Sequence, residues 1–312
     1  MVLAPDMIER LRAEHYNARV EHIRRIHDEL LILRVRPEGD RPAFVPGQYT
    51  VLGLGSWEPH LAGIPTKEEP RDHLIRRAYS ISCPMVDERG QLLRCADCDF
   101  LEFYIAVVNS QTHNPASLTP RLAALQEGDR MFLGAHMHGH YTLDPLEPQH
   151  DVIFVATGTG EAPHNGMIVE LLSQGHSGRI VAVTCVRYRR DLGYLKAHRE
   201  LERRFSNYRY LPLTTREPEN LDPHYPNYVG KRYLQDYVGS EKFESDSGFQ
   251  LDPQRTQVYL CGNPMMIGLP QRDKNGDILY PEPTGMIELL VHRGFRIDRP
   301  HEPGNIHFEK FW

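Results

Sequence analysis

The stretch Arg77-Ala78-Tyr79-Ser80 decides the fold of this 312-residue chain, because three later signals follow it at characteristic distances. These signals are Gly158-Thr159-Gly160-Glu161-Ala162-Pro163, Cys261-Gly262-Asn263-Pro264 and the final pair Phe311-Trp312. Residues 77–80 lie in a strand-like run, whereas each glycine-containing stretch follows an apolar strand and precedes a helix-like segment. The chain therefore combines two patterns, and we expect two domains of different architecture, which its length also favours.

Short strand-like runs dominate the part of the chain around residues 77–80. Residues 18–36 alternate with period two, and runs separated by Pro, Gly and Asp follow at 47–53, 77–82, 100–108 and 130–133. Many short strands with turn residues between them are typical of a small antiparallel barrel. We therefore predict an antiparallel β-barrel domain over residues 1–146, with an N-terminal helix within residues 1–16.

From residue 151 the pattern changes to alternating strands and helices. The predicted strands are 152–157, 179–187, 209–214 and 257–260, and the predicted helices are 163–174, 191–205, 231–238 and 286–294. This alternation implies right-handed crossovers and a parallel sheet that is covered on both faces. The predicted fold is thus an antiparallel barrel followed by an α/β parallel-sheet domain over residues 147–312.

Composition excludes several classes of protein. With 40% hydrophobic and 25% charged residues, the sequence is typical of a globular chain and not of a disordered one. No apolar run is long enough to span a bilayer, and the N-terminus lacks the pattern of a secretory signal. The net charge of −6, with no basic excess in either half, argues against nucleic-acid binding. The five cysteines favour a reducing compartment, so a cytoplasmic location is predicted.

The residue types at positions 77–80 match the needs of a flavin. A flavin requires an aromatic face, a hydroxyl near its reactive N5 edge and a cation for its pyrophosphate. Strand alternation places Arg77 and Tyr79 on one face and Ser80 on the other. The tetrapeptide taken alone is equally compatible with an ordinary strand that has an exposed Arg and a core Tyr.

Together with its neighbours, this pattern resembles the bacterial ferredoxin/flavodoxin–NADP(H) reductases, within the ferredoxin reductase-like flavoprotein superfamily. The similar segments cover most of residues 18–312 and occur in one order. They are 46–49, 77–82, 101–104, 118–122, 151–163, 187–188, 214–217, 261–264 and 309–312. The resemblance implies an FAD-binding barrel and an NADP-binding α/β domain.

The resemblance implies that residues of the barrel, a loop and the end of the chain bind FAD. Backbone N–H groups of Ser117, Leu118 and Thr119 would hold the pyrophosphate at a helix start, where the dipole favours an anion. Thr119 is also compatible with a simple N-cap before Pro120. The implied FAD set is Arg77, Ala78, Tyr79, Ser80, Tyr104, Ile105, Ala106, Val107, Ser117, Leu118, Thr119, Thr159, Phe311 and Trp312.

A second set of residues is implied to bind NADP(H). Gly158 and Gly160 permit a tight turn and close approach of the backbone to a ligand. NADPH differs from NADH by a 2′-phosphate, which Arg binds best. The resemblance assigns this role to Arg187, Arg216 and Lys231, although the family more often has Arg at the last position. Solvated surface charge is the alternative for all three. The implied NADP set is Gly158, Gly160, Arg187, Tyr188, Thr215, Arg216, Lys231, Gly262 and Asn263.

Three residues are implied to act in catalysis. Ser80 would lie beside flavin N5, Cys261 would place the nicotinamide, and Glu309 would relay a proton. A buried structural cysteine is the alternative for Cys261. The terminal rings would cover the flavin and the adenine of FAD, or else cap the core. The family usually has an apolar residue at Glu161, and nothing in the sequence explains this carboxylate.

No metal site is predicted. Only three cysteines, Cys83, Cys95 and Cys98, lie in one region, with His73 nearby, whereas zinc sites need four ligands and iron–sulfur clusters need four thiolates with their own spacing. The alternating histidines at 136, 138 and 140 lie next to a segment that the resemblance places near the flavin. Residues 273–277 lack most of the ligands of a calcium loop and are predicted to form a turn.

The resemblance implies hydride transfer from NADPH to flavin N5 across the domain cleft, and then single-electron transfer to ferredoxin or flavodoxin by a monomeric enzyme. One alternative is the reductase component of an oxygenase system, which usually has additional cysteines for a [2Fe–2S] cluster. Another is a non-catalytic flavin- or nucleotide-binding regulatory subunit, which would be expected to lack Ser80, Cys261 or the terminal aromatics. Segments 53–76, 83–100 and 268–284 are longer than in compact family members and are predicted to border the carrier's docking site.

Overall fold

The computed structural model describes residues 3–64, 66–67, 69–108, 117–143 and 146–310. The chain divides into two compact units, one made of residues 1–84 and 93–142 and the other of residues 85–92 and 143–312. The predicted domain boundary at residues 146 and 147 stays a prediction. Among the described residues, no helix combines the length and apolar character needed to cross a membrane.

The first part of the chain is mainly β-structure. Its elements are α1 (Pro5–His15), β1 (Ala18–His27), β2 (Leu30–Pro37), β3 (Tyr49–Gly55), β4 (Leu74–Ser80), β5 (Met85–Val86), β6 (Leu92–Leu93), β7 (Leu101–Ala106), α2 (Thr119–Leu122) and β8 (Arg130–Leu133). Six strands form an antiparallel sheet in the order β4-β3-β8-β1-β2-β7. The Ser82 N–H, just beyond β4, donates to the Glu102 carbonyl of β7 at 2.7 Å and so joins the two edges. The predicted antiparallel domain is confirmed.

Alternating apolar side chains build the core of this sheet. Leu31, Leu33 and Val35 of β2 are fully buried at every second position, as strand geometry requires. They belong to one cluster with Phe103 and Ile105 of the neighbouring strand β7. The pairing of the strands therefore buries one continuous apolar layer beneath the sheet.

The second unit contains the predicted parallel sheet. Its elements continue with β9 (Asp151–Thr157), α3 (Glu161–Ser173), β10 (Ile180–Val186), α4 (Leu195–Arg204), β11 (Tyr208–Thr214), α5 (Pro218–Leu221), α6 (Leu234–Val238), α7 (Glu241–Ser247), β12 (Thr256–Gly262), α8 (Pro264–Ile267), β13 (Gln271–Arg272), β14 (Ile278–Leu279), α9 (Met286–His292) and β15 (Ile306–Lys310). Five parallel strands lie in the order β11-β10-β9-β12-β15. The strand order changes direction between β9 and β12, where ligands bind in open α/β sheets. The predicted α/β domain is confirmed.

The segments that raised the question of a metal have ordinary structural roles. All five cysteines are free and buried, and the Cys83 thiol donates to the Leu93 carbonyl at 3.3 Å. Residues 273–277 form the predicted turn, here between the paired strands β13 and β14. Within the described ranges, no group of three His, Cys, Asp or Glu residues could hold a metal ion.

Candidate functional site

Two turns meet at the carboxyl edge of the parallel sheet. β9 leads into the short helical turn Gly158–Gly160, and β12 leads through Gly262 and Asn263 into α8. A Cβ atom on Gly160 would overlap the Cys261 carbonyl, and one on Gly262 would overlap the Thr157 hydroxyl. That hydroxyl accepts a hydrogen bond from the Asn263 N–H at 2.7 Å. Glycine is therefore required for the two turns to pack together, and Gly158 remains exposed beside them.

Two of the three predicted catalytic residues are neighbours in this unit. Cys261 of β12 is in register with Glu309 of β15. The Cys261 side chain is fully buried, and this burial, followed by the negative charge of Glu309, raises the pKa of the thiol well above its usual value. Glu309 is half-buried. The third predicted catalytic residue, Ser80, is 8% exposed and ends β4 of the first unit.

Predicted phosphate-binding residues meet at the carboxyl ends of β10 and β11. The Arg216 N–H donates to the Arg187 carbonyl at 2.8 Å, and the Thr215 N–H also donates to this oxygen, at 3.3 Å. Both arginine side chains are exposed. Tyr188, next in the chain, lies with its ring 5.1 Å from the Arg190 guanidinium. The structure thus brings two cations together at the edge where the glycine turn also lies.

Asn220 is a structural residue that the sequence interpretation missed. Its Oδ1 accepts from the Thr214 hydroxyl at 2.9 Å, and its Nδ2 donates to the Gly230 carbonyl at 3.2 Å. It therefore ties the segment before Lys231 to the end of β11. Lys231 is exposed, with its Nζ 5.1 Å from the centre of the Tyr233 ring. Glu217 and Asn220 form a capping box, and their spacing in the sequence was the signal that could have revealed the role of Asn220.

Glu161, which nothing in the sequence explains, points into the core of the second unit. It is 2% exposed. Its Oε1 accepts from the Thr184 hydroxyl at 3.0 Å and the Tyr210 hydroxyl at 2.7 Å, and it lies 3.0 Å from His198 Nε2. His198 Nδ1 lies 2.7 Å from the Tyr208 hydroxyl. Burial, and after it the charge of Glu161, raises the pKa of both tyrosines, so they keep their protons and act as donors.

In the first unit, Arg77 and Ala78 are exposed on β4. They line a groove of about 460 Å³ together with residues of the 132–138 segment, including His136 and His138. Tyr79 is half-buried, and the packing around its ring raises the pKa of its hydroxyl. The pair Arg77 and Ala78 is therefore the most exposed part of the 77–80 stretch.

The predicted residues 104–107, in β7 and directly after it, lie mostly in the core. Tyr104, Ile105 and Val107 are at most 5% exposed, and Ala106 is half-buried. β7 is an edge strand of the sheet, bonded to β2 on one side. Its contribution to a ligand is therefore confined largely to the main chain.

The predicted pyrophosphate loop begins with buried side chains. The Ser117 hydroxyl donates to Glu69 at 2.8 Å, and the Thr119 hydroxyl accepts from the Val108 N–H at 3.1 Å. Leu118, not Thr119, is the N-cap of α2, and no side chain caps this helix, so the alternative of a Thr119 cap is wrong. Phe311 and Trp312 lie outside the described residues.

A buried arginine supports this loop. Arg121 is 6% exposed, and its Nη1 donates to the Ser117 carbonyl at 2.6 Å. Its Nε is also buried, and no hydrogen-bond partner for it occurs among the residues that the structure describes. Burial lowers the pKa of the guanidinium. Within the described ranges, the buried Arg121 Nε beside the predicted anion site therefore has no acceptor.

Comparisons with known proteins agree with this arrangement. Residues 154–271 match the family model described as the oxidoreductase NAD-binding domain. The flavodoxin/ferredoxin–NADP reductase of Escherichia coli (strain K12) is 28% identical over 225 residues, which are 72% of this chain and 76% of that protein. The reductase component of phenol 2-monooxygenase from Pseudomonas sp. (strain CF600) is 32% identical over 117 residues, 38% of this chain and 30% of that protein.

A solved structure shows the same fold over nearly the whole chain. A ferredoxin NADP+ reductase from Neisseria gonorrhoeae, with bound FAD and NADP, has a TM-score of 0.68 at 20% identity. The match covers 95% of this chain and 98% of that one. The chain is therefore similar in sequence to bacterial ferredoxin/flavodoxin–NADP(H) reductases and shares the fold of one of them.

Proposed function

We propose that this protein is an FAD-dependent oxidoreductase that passes electrons between NADP(H) and a one-electron carrier, ferredoxin or flavodoxin. The observation that carries the proposal is the set of groups at the carboxyl edge of the parallel sheet. Two glycine turns pack together there, and Arg187 and Arg216 lie at the ends of the adjacent strands. The names of the curated relatives support the same activity.

The residues at this edge suit a dinucleotide phosphate. The absence of a side chain at the exposed Gly158 lets an extended ligand approach the backbone, whereas Gly160 lets the two turns pack together. Because α3 begins directly after the turn, its positive end favours phosphate. Arg187 and Arg216 are exposed cations that suit a 2′-phosphate, with Lys231 as a third. Tyr188, Thr215, Gly262 and Asn263 complete the proposed NADP(H) site.

The first unit suits FAD. Exposed Arg77 and Ala78 line a groove, and the Arg121 guanidinium supports the Ser117 loop through the Ser117 carbonyl. We assign Tyr79, Ser80, residues 104–107, Ser117, Leu118, Thr119 and Thr159 to FAD binding as well, with Phe311 and Trp312 at the end of the chain. Bound FAD supplies the chemistry that side chains lack, the conversion between a hydride and single electrons.

The proposed roles of the catalytic residues are to position the nicotinamide ring and to hold a proton. The buried Cys261 thiol stays protonated and packs as a neutral, compact group near the end of β12, where we place the nicotinamide ring. The half-buried Glu309 carboxylate beside it can hold a proton. Ser80 offers a hydroxyl at the end of β4.

A visible spectrum of the purified protein tests the proposal. We expect flavin absorbance that bleaches on addition of NADPH and returns when ferricyanide, ferredoxin or flavodoxin is added. NADH at the same concentration should bleach the flavin more slowly. A colourless protein that binds neither FAD nor NADP+ would contradict the proposal, and so would a yellow protein that NADPH does not reduce.

A second candidate is the reductase component of an oxygenase system. The 32% identity to the phenol 2-monooxygenase reductase component favours it, although that match covers only 38% of this chain. The two candidates differ in the electron acceptor, so turnover with ferredoxin and flavodoxin should be compared with turnover with an oxygenase component. We further propose that the enzyme is monomeric and cytoplasmic.

A further inference from the structure

A buried polar cluster lies directly beneath the glycine turn of the second unit. It consists of Glu161, Thr184, His198, Tyr208 and Tyr210, which we call the Glu161 cluster. Each member is at most 2% exposed. Glu161 begins α3, and the other members come from β10, α4 and β11, so the cluster joins four elements through side chains.

One oxygen atom is the centre of the cluster. Glu161 Oε1 accepts from Thr184 and Tyr210, and because a carboxylate oxygen is an acceptor, the His198 Nε2 at 3.0 Å is the third donor. The His198 ring also stacks on the Tyr210 ring, with centroids 3.8 Å apart and planes 10° apart. Glu161 is therefore held in one position by hydrogen bonds and by packing of its partners.

Stability alone does not account for such a cluster. Taking a carboxylate out of water is costly, and well-packed apolar residues of similar volume often give equal or greater stability than a buried polar group. Apolar packing is not directional, whereas hydrogen bonds fix the relative positions of the groups that they join. Such a cluster is therefore expected where α3, β10, α4 and β11 must keep one fixed relative arrangement.

The elements that it fixes carry the proposed nucleotide-binding groups. Glu161 follows the Gly158–Gly160 turn directly, and Thr184 is in register with Ala156, two residues before that turn. Tyr210 lies on β11, the strand that leads to Thr215 and Arg216. The cluster thus connects the glycine turn with β11, which ends two residues before the arginine proposed to bind the 2′-phosphate.

We propose that Glu161 is a positioning residue for NADP(H). Through its cluster it holds the glycine turn and the end of β11, which leads to Arg216, at the spacing that the coenzyme requires. This inference rests on the proposed function. It predicts a specific loss: the affinity for NADP(H) falls, whereas FAD content and turnover at saturating NADPH stay close to those of the unaltered protein.

A matched pair of tyrosine variants tests the proposal. Tyr210→Phe removes the hydroxyl that donates to Glu161, whereas Tyr237→Phe removes a hydroxyl that donates to Asp246 at 2.8 Å, between α6 and α7. Both are buried tyrosines in the second unit. In the holoprotein, we expect Tyr210→Phe to raise the Kd for NADP+ and the KM for NADPH roughly 10-fold, since small misplacements in a site have effects of this order or larger. Tyr237→Phe should change both values less than about twofold, as an uninvolved site does.

Variants at residue 161 separate the effect of the hydrogen bonds to Glu161 from the effect of its negative charge. Glu161→Leu leaves three buried donors without their acceptor and should weaken NADP+ binding at least as much as Tyr210→Phe. Glu161→Gln retains an acceptor oxygen and should restore most of that affinity. If Glu161→Leu does not fold, the tyrosine pair remains decisive.

Each outcome has a separate meaning. Equal NADP+ affinity in Tyr210→Phe and the unaltered protein overturns the positioning role but leaves the proposed function intact. Equal losses in Tyr210→Phe and Tyr237→Phe also overturn it, because they would show general loosening. Failure of the unaltered holoprotein to bind NADP+ at all contradicts the proposed function itself, and with it the inference.

Discussion

Cys261 and Glu309 are register partners on the adjacent parallel strands β12 and β15. The two residues are far apart in the sequence, and the addition of β15 at the edge of the sheet brings them together. Burial, and after it the Glu309 carboxylate, raises the pKa of the Cys261 thiol, so the thiol stays protonated and is not a thiolate.

This relationship predicts a stability change at alkaline pH. An unfolded cysteine ionises near pH 8.5, whereas folded Cys261 stays protonated, so its contribution to stability is complete below about pH 8.5 and is lost as the pH rises further. The free energy of unfolding should fall by up to about 1.4 kcal/mol per pH unit from this one group. Urea titrations between pH 8 and 10 should show a shallower decline in Cys261→Ala; identical slopes would contradict the assignment.

A buried histidine predicts the opposite behaviour in acid. Burial, and next the nearby His198, lowers the pKa of His164 on α3 to about 3. Its stabilising contribution is present above about pH 6.5 and is lost as the pH falls toward 3. Between pH 6.5 and 5 this amounts to about 2 kcal/mol. The unfolding free energy of His164→Leu should depend less on pH in this window, and an unchanged dependence would show that the ring ionises freely in the folded protein.

The packing of the two turns predicts the effect of a single methyl group. In Gly160→Ala the new Cβ would overlap the Cys261 carbonyl, so one of the two turns must move. We expect a stability loss of about 1–3 kcal/mol, the usual cost of overpacking, together with weaker NADP+ binding. Gly39→Ala is the control, since nothing lies within 4 Å of its added Cβ. Equal thermal stability of the two variants would contradict the close approach.

Coenzyme choice is predicted to depend on Arg216. Arg216→Ala should weaken NADPH binding by about 1.5–3 kcal/mol, the range for hydrogen bonds to charged groups, with little effect on NADH. Arg209 is an exposed arginine near the start of β11, the strand that precedes Arg216, and Arg209→Ala should affect neither coenzyme. Equal losses for NADPH and NADH would show that Arg216 does not contact the 2′-phosphate.

Periodicity was sufficient to predict the type and order of the main elements. β8 has the predicted bounds, Arg130–Leu133, because its alternation is clear and turns flank it. Helix starts were less predictable. The helix predicted over 191–205 begins at Leu195, because Asp191 accepts from the Tyr188 N–H and closes a separate turn first. Similarly, α6 begins at Leu234, after an extended Tyr233.

The candidate site was predictable where it depends on short local patterns. The glycine turns, the Cys261 turn and the two arginines at strand ends could be identified from neighbouring residues. The environment of Glu161 could not, because its partners at positions 184, 198 and 210 form no motif and meet only when β10, α4 and β11 pack. The same holds for Arg121, whose buried guanidinium depends on the fold around Ser56 and Ser117.

The shared acceptor oxygen of Glu161 also constrains how this sequence can diverge. Replacing the carboxylate alone leaves three buried donors unsatisfied, and replacing one donor alone removes part of the compensation for a buried charge. Single substitutions should therefore be costly, whereas joint replacement by apolar residues should cost much less than the sum of the single effects. Homologues that carry an apolar residue at this position are expected to have exchanged its partners as well, so that the positions vary as a group.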